Sequence, residues 1–225
     1  MQGIDLFPLF LSLKVASIAT FFSIILGLPL AYCLSRSKSQ LADAFDTLAT
    51  LPVIFPPTVL GYYLLIFIGR QSLIGKFLEN NFGIILVFTP AGAVIASMIV
   101  SVPFLIRYAR SAFAEINPDV LDAARLLGRS EINIFFSVAI PIAWRGVATA
   151  IIMAFARALG DFGTTLMVSG DIPGYTRTMP LAVYDAIQGG DINLANKLVI
   201  IMTVTAVFLL FLLNGLKNRT IKGRQ

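Results

Sequence analysis

An all-α, polytopic integral membrane protein is the fold class this sequence predicts. Three observations lead there. Of its 225 residues 57% are hydrophobic and only 13% are charged, and the mean hydropathy is +0.86, far from the balance of a soluble domain. The apolar residues are gathered into stretches long enough to cross a ~30 Å hydrocarbon core, which takes roughly 20 residues of helix. Lysine and arginine collect at the ends of those stretches, where topology places them.

Five stretches qualify: residues 9–34, 48–68, 83–106, 142–167 and 198–216. The first has no basic run ahead of it, so it reads as a retained span rather than a cleaved signal peptide. Ser17, Thr20 and Ser23 within it can bond their own helix backbone, and Cys33 reads as a small buried hydrophobe. The second carries Pro52, Pro56 and Pro57. Prolines remove backbone hydrogen bonds and kink a helix, so Pro56 and Pro57 are candidates for a gate or hinge, and packing explains them equally well. The fourth is interrupted by Arg145, Arg157 and Asp161. Hydropathy leaves open whether the chain after Gly163 forms a sixth, partial helix. Gly27 and Pro29, and Gly160 and Gly163, read as sites of close helix contact.

With the N-terminus outside, the inner side receives Arg36, Lys38, Arg107, Arg110, Arg125, Arg129, Arg145, Lys217, Arg219, Lys222 and Arg224. Only Lys14, Arg70, Lys76, Arg157, Arg177 and Lys197 remain on or toward the outer side. The positive-inside rule therefore predicts N-out, C-in. The net charge of +5 is then a mark of topology and not of nucleic-acid binding, for which no basic face with stacking aromatics is visible.

Between the third and fourth spans, residues 115–141 form a cytoplasmic loop in this topology. Asn117 is a helix N-cap, Pro118 suits the first turn, and Asp119 sits near the positive end of the helix dipole. Val120, Leu121, Ala124 and Leu127 are expected to share one face, with Gly128 ending the turn. Such a short helix, with small Ala123, Ala124 and Gly128, suits either a docking surface for another protein's backbone or an interfacial helix on lipid headgroups.

Arg157 and Asp161 are spaced to pair along one helix face, which lowers the cost of burying both charges. Sixteen residues past Pro141 at a rise of ~1.5 Å, Arg157 is expected ~24 Å from the inner surface, in the outer half. The pair reads either as part of an anion vestibule or as a structural clamp between helices. The segment 171–196 is expected outside, with a turn at Ile172, Pro173 and Gly174 and a short helix over 179–187.

Several chemistries are excluded. Histidine is absent, so imidazole catalysis and H-E-x-x-H zinc sites are impossible, and one cysteine cannot form an internal disulfide. Gly75 and Lys76 lack the earlier glycine and the Ser/Thr of a P-loop, so ATP hydrolysis has no site here. No G-x-S-x-G turn is present. No internal repeat is detectable, so one copy makes a poor self-contained transporter.

The spacing Asp122-Ala123-Ala124, three residues, Gly128, nine residues, then Val138, Ala139, Ile140 and Pro141 resembles the EAA loop of ABC importer permeases. Asp replaces the usual Glu, and Val and Ile are conservative changes. The chain from Phe155 to Asp191 and the run from Leu51 to Leu65 are similar to the permeases of molybdate, tungstate and sulfate importers. The Pro-Pro-Thr-Val-Leu-Gly-Tyr run and the I-P-G-x-T-x-T-x-P-x-A-x-Y pattern favour molybdate. Asp161 stands where Glu is more familiar.

This resemblance implies a single transmembrane domain over 1–225, a permease for molybdate or tungstate working as a homodimer in a bacterial or archaeal plasma membrane. Asp122, Ala123, Ala124, Gly128 and Pro141 would couple it to two copies of an ABC ATPase. An extracytoplasmic molybdate-binding protein would deliver the anion, and no cofactor or metal is implied. Pro56, Pro57, Arg157 and Asp161 are the candidate path or gate. A sulfate or thiosulfate permease is the nearest alternative; a passive anion channel would use Arg157 but has no reason to carry the 122–141 spacing.

Overall fold

The computed structural model describes residues 4–37 and 40–222; Lys38 and Arg224, two of the cations that the topology expectation assigns to the inner side, lie outside the described residues. Helix α1, Phe7–Arg36, opens with Pro8 in its first turn and closes with Arg36 facing the negative end of its dipole. Its 30 residues extend ~45 Å, longer than the bilayer core. Ala16, Ala19, Ser23, Gly27 and Ala31 recur every three or four residues and are buried. That seam of small side chains lets α5, Pro90–Ala114, approach closely. A Cβ on Gly27 would lie 2.7 Å from the Leu105 side chain. Where the seam is polar it is satisfied. Thr20 Oγ1 donates to Ala16 O at 2.7 Å and Ser23 Oγ to Ala19 O at 2.8 Å, while Ser23 Oγ and Ser101 Oγ lie 3.2 Å apart. Cys33 lies on the outer side of α1 and is exposed, contrary to the expectation of burial, because the buried seam runs through Ala31, Tyr32 and Leu34 instead.

The second predicted span is two helices. Helix α2, Gln40–Ile54, and α3, Pro57–Ile68, meet at a bend of 117°. Pro56 precedes Pro57 and is pushed out of the helical region to φ −54°, ψ 137°, while neither ring offers an N–H to continue the ladder. Helix α4, Leu73–Phe82, was not anticipated. Ser72 caps it by accepting from Gly75 N at 2.8 Å, and Gly83, at φ +65°, ends it. That stop explains why the third span begins at Pro90, where Thr89 is the N-cap, and not at 83.

Helix α6, Pro118–Leu126, and α7, Glu131–Ile134, follow α5. The chain then passes through a π-helical turn, Phe135–Ala139, into α8, Ile140–Ile142, and bends by 87° at Ala143 before α9, Trp144–Leu159. The fourth span therefore ends at Leu159, not at 167. Gly160 caps α9 and a separate helix, α10, Gly163–Ser169, starts after Asp161 and Phe162. Seven residues of helix reach only ~10 Å, so α10 is a partial element. Helix α11, Met179–Gln188, starts after a turn that contains Gly174 at φ +69°, and α12, Ile192–Lys222, closes the described chain.

The core is a layer of α1, α5 and α9, with α5 in the middle. Helix α3 packs on α10, and α12 touches α9 and α11. Phe208 and Phe211 on α12 point outward, as lipid-facing side chains do. Among the described residues three helices are long and apolar enough to cross a membrane alone, and up to five if each bent pair counts as one span.

Candidate coupling segment and partly buried ion pair

Local sequence builds α6 as expected at both ends. Asn117 Oδ1 accepts from Asp119 N at 3.0 Å, with Pro118 in the first turn. At the other end Gly128 N donates to Arg125 O at 2.9 Å and Arg129 N to Ala124 O at 3.2 Å. These two bonds, with Gly128 at φ +78°, make a Schellman stop that requires a left-handed residue.

The phase of the helix differs from the expectation. Leu121 and Ala124 are buried, at 1% and 8% exposure, whereas Leu126 and Leu127 are 89% and 81% exposed. Ala124 is thus part of this chain's own core, packed in the cluster that holds Phe113, Ile116, Ile134 and Phe135. The surface open to another protein is Val120, Ala123, Leu126 and Leu127. Rings beneath it tie α6 to the helices: Tyr32 of α1 stands edge-on to Phe113 of α5, centroids 5.5 Å apart, and 5.3 Å from Phe135. The Arg36 guanidinium donates to Phe113 O, joining α1 to the end of α5. Pro141 lies away from the loop proper, inside α8 at the foot of the bend.

Charges lock the turn after α6. Arg125 Nε donates to Glu131 Oε1 at 2.6 Å and its NH1 to Asp122 Oδ1 at 2.6 Å. The hydrogen bonds from Arg125 hold the Glu131 carboxyl below its ordinary range, and those to both acids raise the guanidinium. Glu131 is a partner that sequence reading missed; its only signal is its place just after the Ser130 N-cap, which accepts from Asn133 N at 3.4 Å.

A second group gathers where α9 breaks. Arg157 NH1 lies 3.4 Å from Asp161 Oδ1, so the pair expected at that spacing exists, though Asp161 is outside the helix. Asp161 is 3% exposed, and its Oδ2 accepts from Thr165 N at 3.1 Å and from Thr165 Oγ1 at 2.7 Å. Thr165 was not singled out in the sequence. Arg157 lines a cavity with Pro52, Phe55, Pro57 and Phe104. The break between α2 and α3 and the bend at Ala143 leave Arg157 beside Pro52 and Pro57, which lie about 100 residues earlier in the chain. Pro57 also meets α10, with Thr164 Oγ1 donating to Pro57 O at 3.3 Å. Pro56 is exposed at the bend.

On the face that bears the 170–178 turn, Arg177 is clamped: Nε and NH2 reach both oxygens of Asp171 at 2.7 and 3.1 Å, and NH1 reaches Asp185 Oδ2 at 2.7 Å. Among the described residues no group of His, Cys, Asp and Glu is arranged to hold a metal ion.

Comparison with known proteins agrees with this architecture. The profile of the family described as "Binding-protein-dependent transport system inner membrane component" matches residues 23–222. The molybdenum transport system permease protein ModB of Escherichia coli (strain K12) is 38% identical over 202 residues, covering 89% of this chain and 88% of that one. ModB of Azotobacter vinelandii is 37% identical over 210 residues, covering 93% and 92%. Among solved structures, an inward-facing MetNI methionine ABC transporter matches with a TM-score of 0.70 at 17% identity, over 96% of this chain and 94% of that one; that likeness is one of fold.

Proposed function

The chain belongs to the family of binding-protein-dependent transport system inner membrane components, and from that premise we propose that it is the permease subunit of an ATP-driven importer of molybdate or the near-isosteric tungstate. The observation that carries the substrate is the near full-length identity to molybdenum permeases. The subunit itself has no ATPase role; hydrolysis belongs to a partner.

The assembly we infer has two copies of this chain with the path between them, two ATPase subunits inside and an oxyanion-binding protein outside. It lies in the cell's inner membrane with its N-terminus outward and its C-terminus in the cytoplasm, which the distribution of Lys and Arg supports. Closure of the ATPases would draw the two α6 helices together. Three features support α6 in that role: its two capped ends, the ion-paired turn behind it, and the exposed apolar stripe of Val120, Ala123, Leu126 and Leu127. The Tyr32, Phe113 and Phe135 rings give the movement a rigid route into α1 and α5. Pro56 and Pro57, at the sharpest bend, with Arg157 and Asp161 beside it, are the natural place for a gate.

ATP-dependent uptake of labelled molybdate and sulfate into proteoliposomes holding the whole complex tests this reading. Molybdate uptake that needs ATP and fails in Ala123→Trp with the complex folded is the expected result. Sulfate taken up in preference would reassign the substrate. Flux indifferent to ATP would overturn the importer and leave a channel.

A further inference from the structure

Arg157 sits in a setting unlike that of Arg177, the other arginine with a carboxylate partner on the 157–196 part of the described chain. The cavity it lines is about 110 Å³ and is otherwise walled by Pro52, Val53, Phe55, Pro57, Leu60, Val100 and Phe104. Arg157 is therefore the one charged residue among apolar walls, bordered by α2, α3, α5 and α9 and open at a rim where Val53, Phe55 and Pro57 are exposed. The volume is far above the ~10–15 Å³ that one water needs, and it admits the five heavy atoms of a tetrahedral oxyanion.

The counter-ion arrangement is equally distinctive. Arg177 shows what a clamp looks like here: both Asp171 oxygens are engaged, the nearer at 2.7 Å. Arg157 instead meets one oxygen of Asp161 through one nitrogen at 3.4 Å, longer than the ~2.7–2.9 Å of a tight charged hydrogen bond. Asp161 keeps its other oxygen on Thr165 N and Oγ1. It stays anchored and partly satisfied if the guanidinium turns away, so exchanging partners leaves no bare buried charge. Intramembrane charges face a path or a partner, and a path must hold its ion well enough to enter and loosely enough to leave.

We infer that Arg157 is a transient contact for the tetrahedral oxyanion dianion on its way past the bend between α2 and α3, and that Asp161 is an exchangeable counter-ion which the anion displaces and which then helps to release it. The inference rests on the importer reading and gives one position of its path a ligand. Asp161 is a positioning residue here, since it acts through Arg157.

The test compares wild type, Arg157→Gln with Asp161→Asn, and Arg157→Lys, each in proteoliposomes with the ATPase and the binding protein. The double variant keeps a neutral hydrogen-bonded pair, and Asn Oδ1 can still accept from Thr165. Molybdate moved per ATP hydrolysed is the readout, because a purely structural pair would not change that ratio in an assembled complex. The expected result is a fall of about tenfold or more in the double variant, with ATP hydrolysis still stimulated by the loaded binding protein, and an intermediate ratio in Arg157→Lys. A ratio within about twofold of wild type in the double variant overturns the inference, as do equal losses in the two variants, which would make the role one of shape and not charge. Wild type that moves no oxyanion with ATP overturns the importer reading instead.

Discussion

Gly163 and Pro57 meet with no room for a side chain between them: a Cβ on Gly163 would lie 2.8 Å from Pro57 Cβ. One helix turn further along α3, a Cβ on Gly61 would lie 2.5 Å from Met167 Cβ. The N-terminal turns of α3 are therefore seated on α10 by two glycines. Gly163→Ala and Gly61→Ala are each expected to cost about 1–3 kcal/mol through overpacking, read as a lower thermal midpoint of the detergent-solubilised protein. Gly160→Ala is the control, since its Cβ would meet only Ala156 O at an ordinary 3.6 Å. Equal midpoints for Gly163→Ala and Gly160→Ala would show that α3 and α10 are not in contact.

Two adjacent alanines on α6 separate docking from folding. Ala123 is exposed and Ala124 is buried. Ala123→Trp should leave the midpoint of the isolated subunit unchanged and weaken capture of the ATPase subunits by about tenfold or more, as loss of a central contact does. Ala124→Trp should instead lower the midpoint, because a large ring cannot enter the cluster of Phe113, Ile134 and Phe135. Undiminished ATPase capture by the Ala123 variant would remove α6 as the coupling element.

Both caps of α6 could be read in advance because they depend on local chemistry: Asn117 has its acceptor and Gly128 its φ wherever the helix lies. Its buried side could not, since that is decided by where Phe113 and Phe135 stand. Apolar stretches announced the membrane, but hydropathy averages over a window and is blind to direction. It passed over the 117° and 87° bends, although Pro56 and Pro57 marked the first. The Arg157 to Asp161 spacing identified a true pair, while Thr165 and the apolar cavity walls come from α2, α3, α5 and α10 and carry no local signal. Gly27 and Gly163 proved to be close contacts; Gly160 did not.

Backbone conformation, not bulk, governs Gly128. Its φ is +78° and a Cβ there would meet nothing within 4 Å. An L residue pays about 1–2 kcal/mol for the left-handed region, and Asn visits it more readily than others. Gly128→Asn is expected to keep ATP-coupled uptake near wild type, whereas Gly128→Val should lose helix order in α6, seen as faster amide exchange over residues 118–128. Equal behaviour of Asn and Val would place the role of Gly128 in contact with the partner instead.

Arg125 makes the turn after α6 sensitive to acid. Its hydrogen bonds lower the Glu131 carboxyl from the ordinary 4.5, outweighing both desolvation and the nearby Asp122, which push the other way. A depressed carboxyl stabilises the fold above its unfolded value, and that contribution fades as pH falls through the folded one. The link is solvent-exposed, so its effect is local and modest. Amide protection over residues 118–134, corrected for intrinsic exchange, should hold steady from neutral pH to about 5 and decline below about 4.5. Glu131→Gln should show the weaker protection at every pH and no decline in that window. A decline of equal size in Glu131→Gln would assign the acid sensitivity to another carboxylate and leave the Arg125 to Glu131 link without a stabilising role.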